Sequence, residues 1–116
     1  MAPDEHHIDA FLLEFRQKKK IFGVLFRDDR GKNQQSLLDL EISPKEREIV
    51  LDNLIVKDYV RGPLEDTLNK GPEMWEFGKK VKGRDVYIKI TMGFTNSRVI
   101  CISFHIAEYP LTYPLQ

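Results

Sequence analysis

The sequence predicts a single α+β domain, with N-terminal helices packed on a C-terminal antiparallel sheet. Near the N-terminus, apolar residues recur at helical spacing, at Ile8, Phe11, Leu12 and Phe15. Near the C-terminus, apolar and polar residues alternate over 85–92 and 99–106, which is typical of half-buried strands. A chain of 116 residues can bury one core but not two, so we treat residues 1–116 as one domain.

The N-terminal third should hold a helix, a strand and a third segment that fits either structure. The apolar stripe predicts a helix over about 6–18, and the aromatic-rich run 21–26 predicts a strand. A charged turn at 27–33 follows, and its last residue, Asn33, can cap the next element. The segment 34–41 fits either a helix or a strand, since its leucines suit both periods.

A capping box marks the next helix. Ser43 suits the N-cap, Pro44 the first turn and Glu46 the third helical position, so a helix should begin at Pro44 and fade by Val56. Beyond it, glycines and prolines predict a loop over 57–73 with room for one helical turn near 64–68.

The C-terminal part should be an antiparallel meander. A strand begins at 74–77 and turns at 79–83, and a hairpin pairs 85–92 with 98–106. Matching the apolar faces sets Ile88 opposite Phe104 and Ile90 opposite Ile102. Tyr87 then faces His105 and Lys89 faces Ser103. The tail from Tyr109 repeats Tyr-Pro-Leu, and its prolines exclude it from a central strand.

Composition indicates the compartment of the protein more clearly than its activity. No apolar run approaches the ~20 residues of a membrane span, no signal peptide is visible, and the single cysteine, Cys101, fits a reducing cytoplasm. Net charge is zero, so composition does not indicate nucleic-acid binding. The local cluster of Lys79, Lys80, Lys82 and Arg84 suits either a solvated turn or a patch that tracks phosphates.

Tyrosine, lysine and histidine on one sheet face suit proton transfer at a phosphodiester. RNA cleavage without metal or cofactor needs a base for the 2′-hydroxyl, a cation for the phosphorane and an acid for the leaving oxygen. His105 suits either proton-transfer role. Tyr87 suits hydrogen bonding or base stacking, and Lys89 and Arg61 suit phosphate contacts. The same residues are also common on sheet surfaces, so the pattern alone leaves the function open.

An ordered set of motifs from Gln35 to about Ala107 resembles the MqsR-type toxins of bacterial toxin–antitoxin systems, within the RelE/ParE superfamily. The residues that carry the resemblance are Ser36-Leu-Leu38, Asp58-Tyr59 with Arg61, Trp75-Glu76, Val86-Tyr-Ile-Lys-Ile-Thr91 and Ile102-Ser-Phe104. The full chain, with Phe26–Asn33 and Ile102–Glu108, also resembles a ParE-like family of its own.

The resemblance implies a cytoplasmic endoribonuclease that cleaves mRNA without metal or cofactor. It also implies a cognate antitoxin, of helix-turn-helix type, encoded by a neighbouring gene, and RNA as the substrate. The ribosome or DNA gyrase is a further candidate partner, and no contact with a membrane is expected. Tyr87 matches the family's proposed site outright. Arg61 replaces a lysine, Glu76 a glutamine and His105 the last lysine, so all four are candidate catalytic residues. Lys89, Lys79, Lys80, Lys82 and Arg84 are the candidate phosphate contacts.

Two alternatives stay open at this stage. ParE-type toxins use the same scaffold to bind DNA gyrase and carry out no ribonuclease chemistry. A non-catalytic protein-interaction module would need only the helices and the apolar tail.

Overall fold

A computed structural model describes residues 3–68 and 70–116, and it confirms the α+β class. The elements, in chain order, are α1 (Glu5–Phe22), β1 (Val24–Phe26), α2 (Gly31–Leu40), α3 (Pro44–Asp52), a short 3-10 turn (Val56–Asp58), β2 (Tyr59–Leu64), β3 (Met74–Val81), β4 (Arg84–Thr91) and β5 (Val99–Ile106).

Helix α1 is longer than its apolar stripe predicts. Asp4 caps its N-terminus by accepting a hydrogen bond from His7 N at 2.8 Å, and the helix continues through the lysines to Phe22. Cations in a last turn interact favourably with the helix dipole, and Gly23 ends the helix with φ +86°. The predicted strand at 21–26 is therefore wrong in its first half, and β1 keeps only Val24–Phe26.

Helix α2 settles the segment 34–41 in favour of helix and gives Asn33 a role other than capping. The helix begins at Gly31, so Asn33 lies in its first turn, with 2 % of its surface exposed. Its amide donates to Arg27 O at 2.9 Å and to Ile102 O at 2.8 Å, and its Oδ1 accepts from Phe104 N at 3.0 Å. The side chain thus continues the hydrogen-bond ladder of β5 where β1 has ended.

Helix α3 begins as the capping box predicts. Ser43 Oγ accepts from Glu46 N at 3.1 Å, and Ser43 N donates to the Glu46 carboxylate at 3.4 Å. The helix ends at Asp52, before the predicted limit of Val56.

The sheet is mixed, with strand order β1-β5-β4-β3-β2. Strands β3 to β5 form the predicted antiparallel meander. Strand β2 extends it by pairing antiparallel with β3, whereas β1 pairs parallel with β5. Strand β2 lies inside the region predicted as a loop, and the turn predicted near 64–68 is matched only by one hydrogen bond, from Lys70 N to Asp66 O at 2.9 Å. Its Gly62 and Pro63 break the strand pattern in sequence, yet an edge strand tolerates proline. Asn69, also in that predicted loop, lies outside the described residues.

The core lies between one face of the sheet and the helices. Its fully buried side chains come from α1, α3 and the central strands: Ile8, Leu12, Phe15, Leu51, Phe77, Val86, Ile88 and Ile90. Trp75 stacks on Phe11 with ring centroids 4.6 Å apart. The opposite face of the sheet carries the candidate functional groups.

The β4–β5 hairpin has the predicted boundaries to within one residue, but a bulge divides its register. Tyr87 pairs with His105, Ile88 with Phe104 and Lys89 with Ser103, as predicted. Ile90 then pairs with Cys101 rather than Ile102, because Ile102 is an extra residue in β5. The bulge buries Cys101 completely and turns Ile100 and Ile102 to the polar face, so the predicted facing of these residues is wrong.

Candidate functional site

Tyr87 and His105 lie side by side on the polar face of the sheet. They are a direct cross-strand pair, and their ring centroids are 5.4 Å apart at an angle of 43°. Both side chains are half-buried. The predicted central pair of the site is therefore present with the predicted geometry.

Glu76 on β3 joins Tyr87 to Arg61 on β2. The Tyr87 hydroxyl donates to Glu76 Oε2 at 2.5 Å, and Arg61 donates through Nε at 3.0 Å and through its second terminal nitrogen at 3.1 Å. Glu76 is 5 % exposed, whereas 65 % of the Arg61 side chain is open to solvent. The carboxylate is thus held from two sides, and one terminal nitrogen of the guanidinium stays available to a ligand.

This arrangement sets the proton chemistry of Tyr87. Burial raises the pKa of Tyr87 above its usual value, and the hydrogen bond and the negative charge of Glu76 raise it further. The bond to Glu76 also raises the pKa of Arg61. Tyr87 is therefore a hydrogen-bond donor at neutral pH and a poor general base.

His105 is better placed to accept a proton. Its Nδ1 lies 3.0 Å from Ile106 O, so a neutral imidazole that donates there carries its acceptor lone pair on Nε2. His105 also lines a hollow of about 280 Å³ with Tyr87, Ala107, Glu108 and Leu111.

Among the predicted phosphate contacts, Lys89 lies on the same face as the site. It pairs with Glu76 on β3 and with Ser103 on β5. Within residues 3–68 and 70–116, its ammonium group makes no hydrogen bond or ion pair.

The other predicted basic residues do not converge on the site. Lys79 faces the helices, where it donates to Asp58 at 2.8 Å, and Lys82 donates to Glu41 O at 2.8 Å. Lys80 is 3.7 Å from Asp85 at the far end of the β3–β4 hairpin, and Arg84 is exposed there. Strand β3 runs through the predicted turn to Val81, which gives these cations different directions.

Arg30 is a cation that the sequence did not single out. It stands at the start of α2, is exposed, and lowers the pKa of Tyr87 through its charge, against the stronger raising effect of burial. It was hidden in a charged stretch that reads only as a turn. Packing of α2 along β5 is what brings it to this face.

The C-terminal tail closes one end of the polar face. A Cβ built on Gly78 would lie 2.6 Å from Leu111 Cδ1 and closer still to the Tyr113 hydroxyl, so a larger residue there would push these side chains of the tail aside. Gly78 pairs with Tyr87, which places the tail directly beside the candidate site.

Neither a metal cluster nor a related protein adds to this description. Within residues 3–68 and 70–116, no three His, Cys, Asp or Glu side chains are grouped so that they could hold a metal ion. In the same part of the chain, no helix has both the length and the apolar character needed to cross a membrane. Comparison of the chain with protein-family models, with curated proteins and with solved structures found no match.

Proposed function

We propose that this protein is a toxin of the RelE/ParE superfamily that cleaves mRNA as a metal-independent endoribonuclease. The observation that carries the proposal is the Tyr87–His105 pair, which sets a proton acceptor beside a hydrogen-bond donor on one exposed face. The Glu76–Arg61 pair supports it by holding Tyr87 and by presenting a guanidinium.

In the proposed reaction, His105 Nε2 takes the proton of the 2′-hydroxyl while the 2′-oxygen attacks phosphorus. The bond to the 5′-oxygen breaks, and this oxygen takes a proton from water, while the protonated His105 gives its proton to the hydroxide left behind. The products are a 2′,3′-cyclic phosphate and a 5′-hydroxyl, and His105 is neutral again. Arg61 and Tyr87 donate to the non-bridging oxygens as negative charge builds up. For Tyr87 this requires its hydroxyl to leave Glu76 when the substrate binds.

The purified protein should cleave single-stranded RNA in the presence of EDTA. His105→Ala should lower turnover by ~10²–10⁴-fold, the range for loss of general acid–base catalysis. RNA affinity should change little, because the imidazole acts mainly in the transition state. Lys45→Gln is the matched control, since Lys45 is an exposed lysine on α3, which packs on the opposite face of the sheet.

Full activity in a folded His105→Ala protein would exclude this residue as the base. Tyr87→Phe then becomes informative, because it keeps the ring and removes only the hydroxyl. A loss of turnover in Tyr87→Phe alone would move the central role to the Tyr87–Glu76 pair.

A cellular experiment separates the proposed activity from gyrase binding. Expression in bacteria should arrest growth with loss of mRNA, and coexpression of a neighbouring helix-turn-helix gene should relieve the arrest. Induction of the DNA-damage response with intact transcripts would instead support a ParE-type protein that binds gyrase. Growth without any arrest would contradict both toxin functions.

A further inference from the structure

A second concave region, the bulge groove, lies on the polar face next to the candidate site. It has a volume of about 520 Å³, and its floor comprises Met74, Thr91, Ile100 and Ile102. The last two reach this face only because the bulge reverses the alternation of β5. The groove is therefore a consequence of the same local irregularity that buries Cys101.

Phe94 forms one wall of the groove. It is 58 % exposed, so its ring is open to a ligand. Lys18 fixes the loop that carries it, donating to Met92 O at 2.5 Å and to Phe94 O at 2.7 Å. The wall is thus held in place from the helix side.

The rim of the groove carries positive charge at one end and negative charge at the other. Arg27 and Arg30 follow β1 at one edge of the sheet, and Glu65 and Asp66 follow β2 at the other. Arg27 is neutralised by Asp29 at 2.9 Å. Within residues 3–68 and 70–116, Arg30 and Lys89 have no such partner, so they are the cations that could bind an anion.

We propose that the bulge groove binds the nucleotide next to the scissile phosphate, with its base against Ile100, Ile102 and Phe94 and its phosphate at Lys89 and Arg30. A planar apolar surface joined to an anion matches the apolar floor and the cationic rim together. Lys89 lies two residues from Tyr87 on the same face of β4, so a strand of RNA can reach the groove from the reacting phosphate. The assignment rests on the proposed ribonuclease function.

The test uses AMP, which has a base and a phosphate but no phosphodiester to cleave. AMP should shift the methyl resonances of Ile100 and Ile102 in a saturable titration. Adenosine and ribose 5-phosphate should each bind about tenfold more weakly, since each lacks one half of the recognition.

Two variants separate the two halves of the groove. Lys89→Gln should raise the dissociation constant of AMP about fivefold to tenfold and leave that of adenosine unchanged. Ile102→Thr should weaken both ligands by a similar factor. Lys80→Gln should alter neither, and an unchanged melting temperature confirms that each variant is folded.

Shifts spread over the whole surface without saturation would overturn the proposal, as would equal losses in Lys89→Gln and Lys80→Gln. The result is independent of cleavage. Saturable AMP binding without RNA cleavage would support the groove and contradict the ribonuclease, whereas RNA cleavage without AMP binding would contradict the groove alone.

Discussion

Asn33→Ala should destabilise the protein strongly, because a single side chain satisfies three backbone groups. Arg27 O, Ile102 O and Phe104 N each have a hydrogen bond to its amide at 2.8–3.0 Å. Leaving a buried polar group without a partner costs ~1–3 kcal/mol. Arg27 O keeps a second donor, Arg30 N at 3.1 Å. The groups that lose their partner are therefore Phe104 N and Ile102 O, and the carbonyl is only partly buried and belongs at the low end of that range.

The two losses add to about 2–4 kcal/mol, of which the better helix propensity of alanine returns about 0.5 kcal/mol. The net cost is a large part of the ~5–15 kcal/mol that stabilises a typical domain. Urea denaturation measures it through the fluorescence of Trp75, the only tryptophan, which is buried in the core.

Gln35→Ala on the same helix is the control, because Gln35 is exposed and, among residues 3–68 and 70–116, its side chain bonds only to Asp39. It should change the free energy of unfolding by less than about 0.5 kcal/mol. If Asn33→Ala cost no more than Gln35→Ala, the side chain would not be continuing the β5 ladder. The position of the segment that leads to His105 would then need another explanation.

Further results are expected for Tyr87, Gly78 and Cys101. Tyr87 should titrate well above its usual range, and Glu76→Gln should bring its pKa part of the way down, since burial, the largest cause, remains; ¹³C NMR of the tyrosine rings measures both. The unfolded chain loses the Tyr87 proton near pH ~10 while the folded chain keeps it, so Tyr87 should make stability fall as pH rises above that value. Gly78→Ala should displace the Leu111 and Tyr113 side chains, cost no more than ~1 kcal/mol, the low end for overpacking, and expose the tail to protease, whereas Gly31→Ala, with open space around it, should do neither. Cys101 should resist thiol reagents until the protein unfolds, because the thiol is fully buried and burial raises its pKa; rapid labelling of the native protein would contradict that placement.

The sequence determined the features that depend on local periodicity and local hydrogen bonds. The α+β class, the Ser43–Glu46 capping box and the pairing of Tyr87 with His105 are of this kind. Because side chains alternate between the two faces of a strand, one pairing register of β4 and β5 near Phe104 buries the apolar face of both strands. That part of the hairpin was predicted correctly.

Only the tertiary structure decided what depends on a single inserted residue or on contacts between distant segments. The bulge at Ile102 reverses the alternation in the first half of β5. The four residues 99–102 are all apolar, so the sequence there does not indicate which two of them face the core. Arg30 and Asn33 acquire their roles only when α2 packs along β5, and the free or paired state of Lys79 and Lys89 depends on which side of the sheet each one faces. Charge and hydropathy along the chain specify which residues can do chemistry, but the long-range packing of the sheet decides which of them meet.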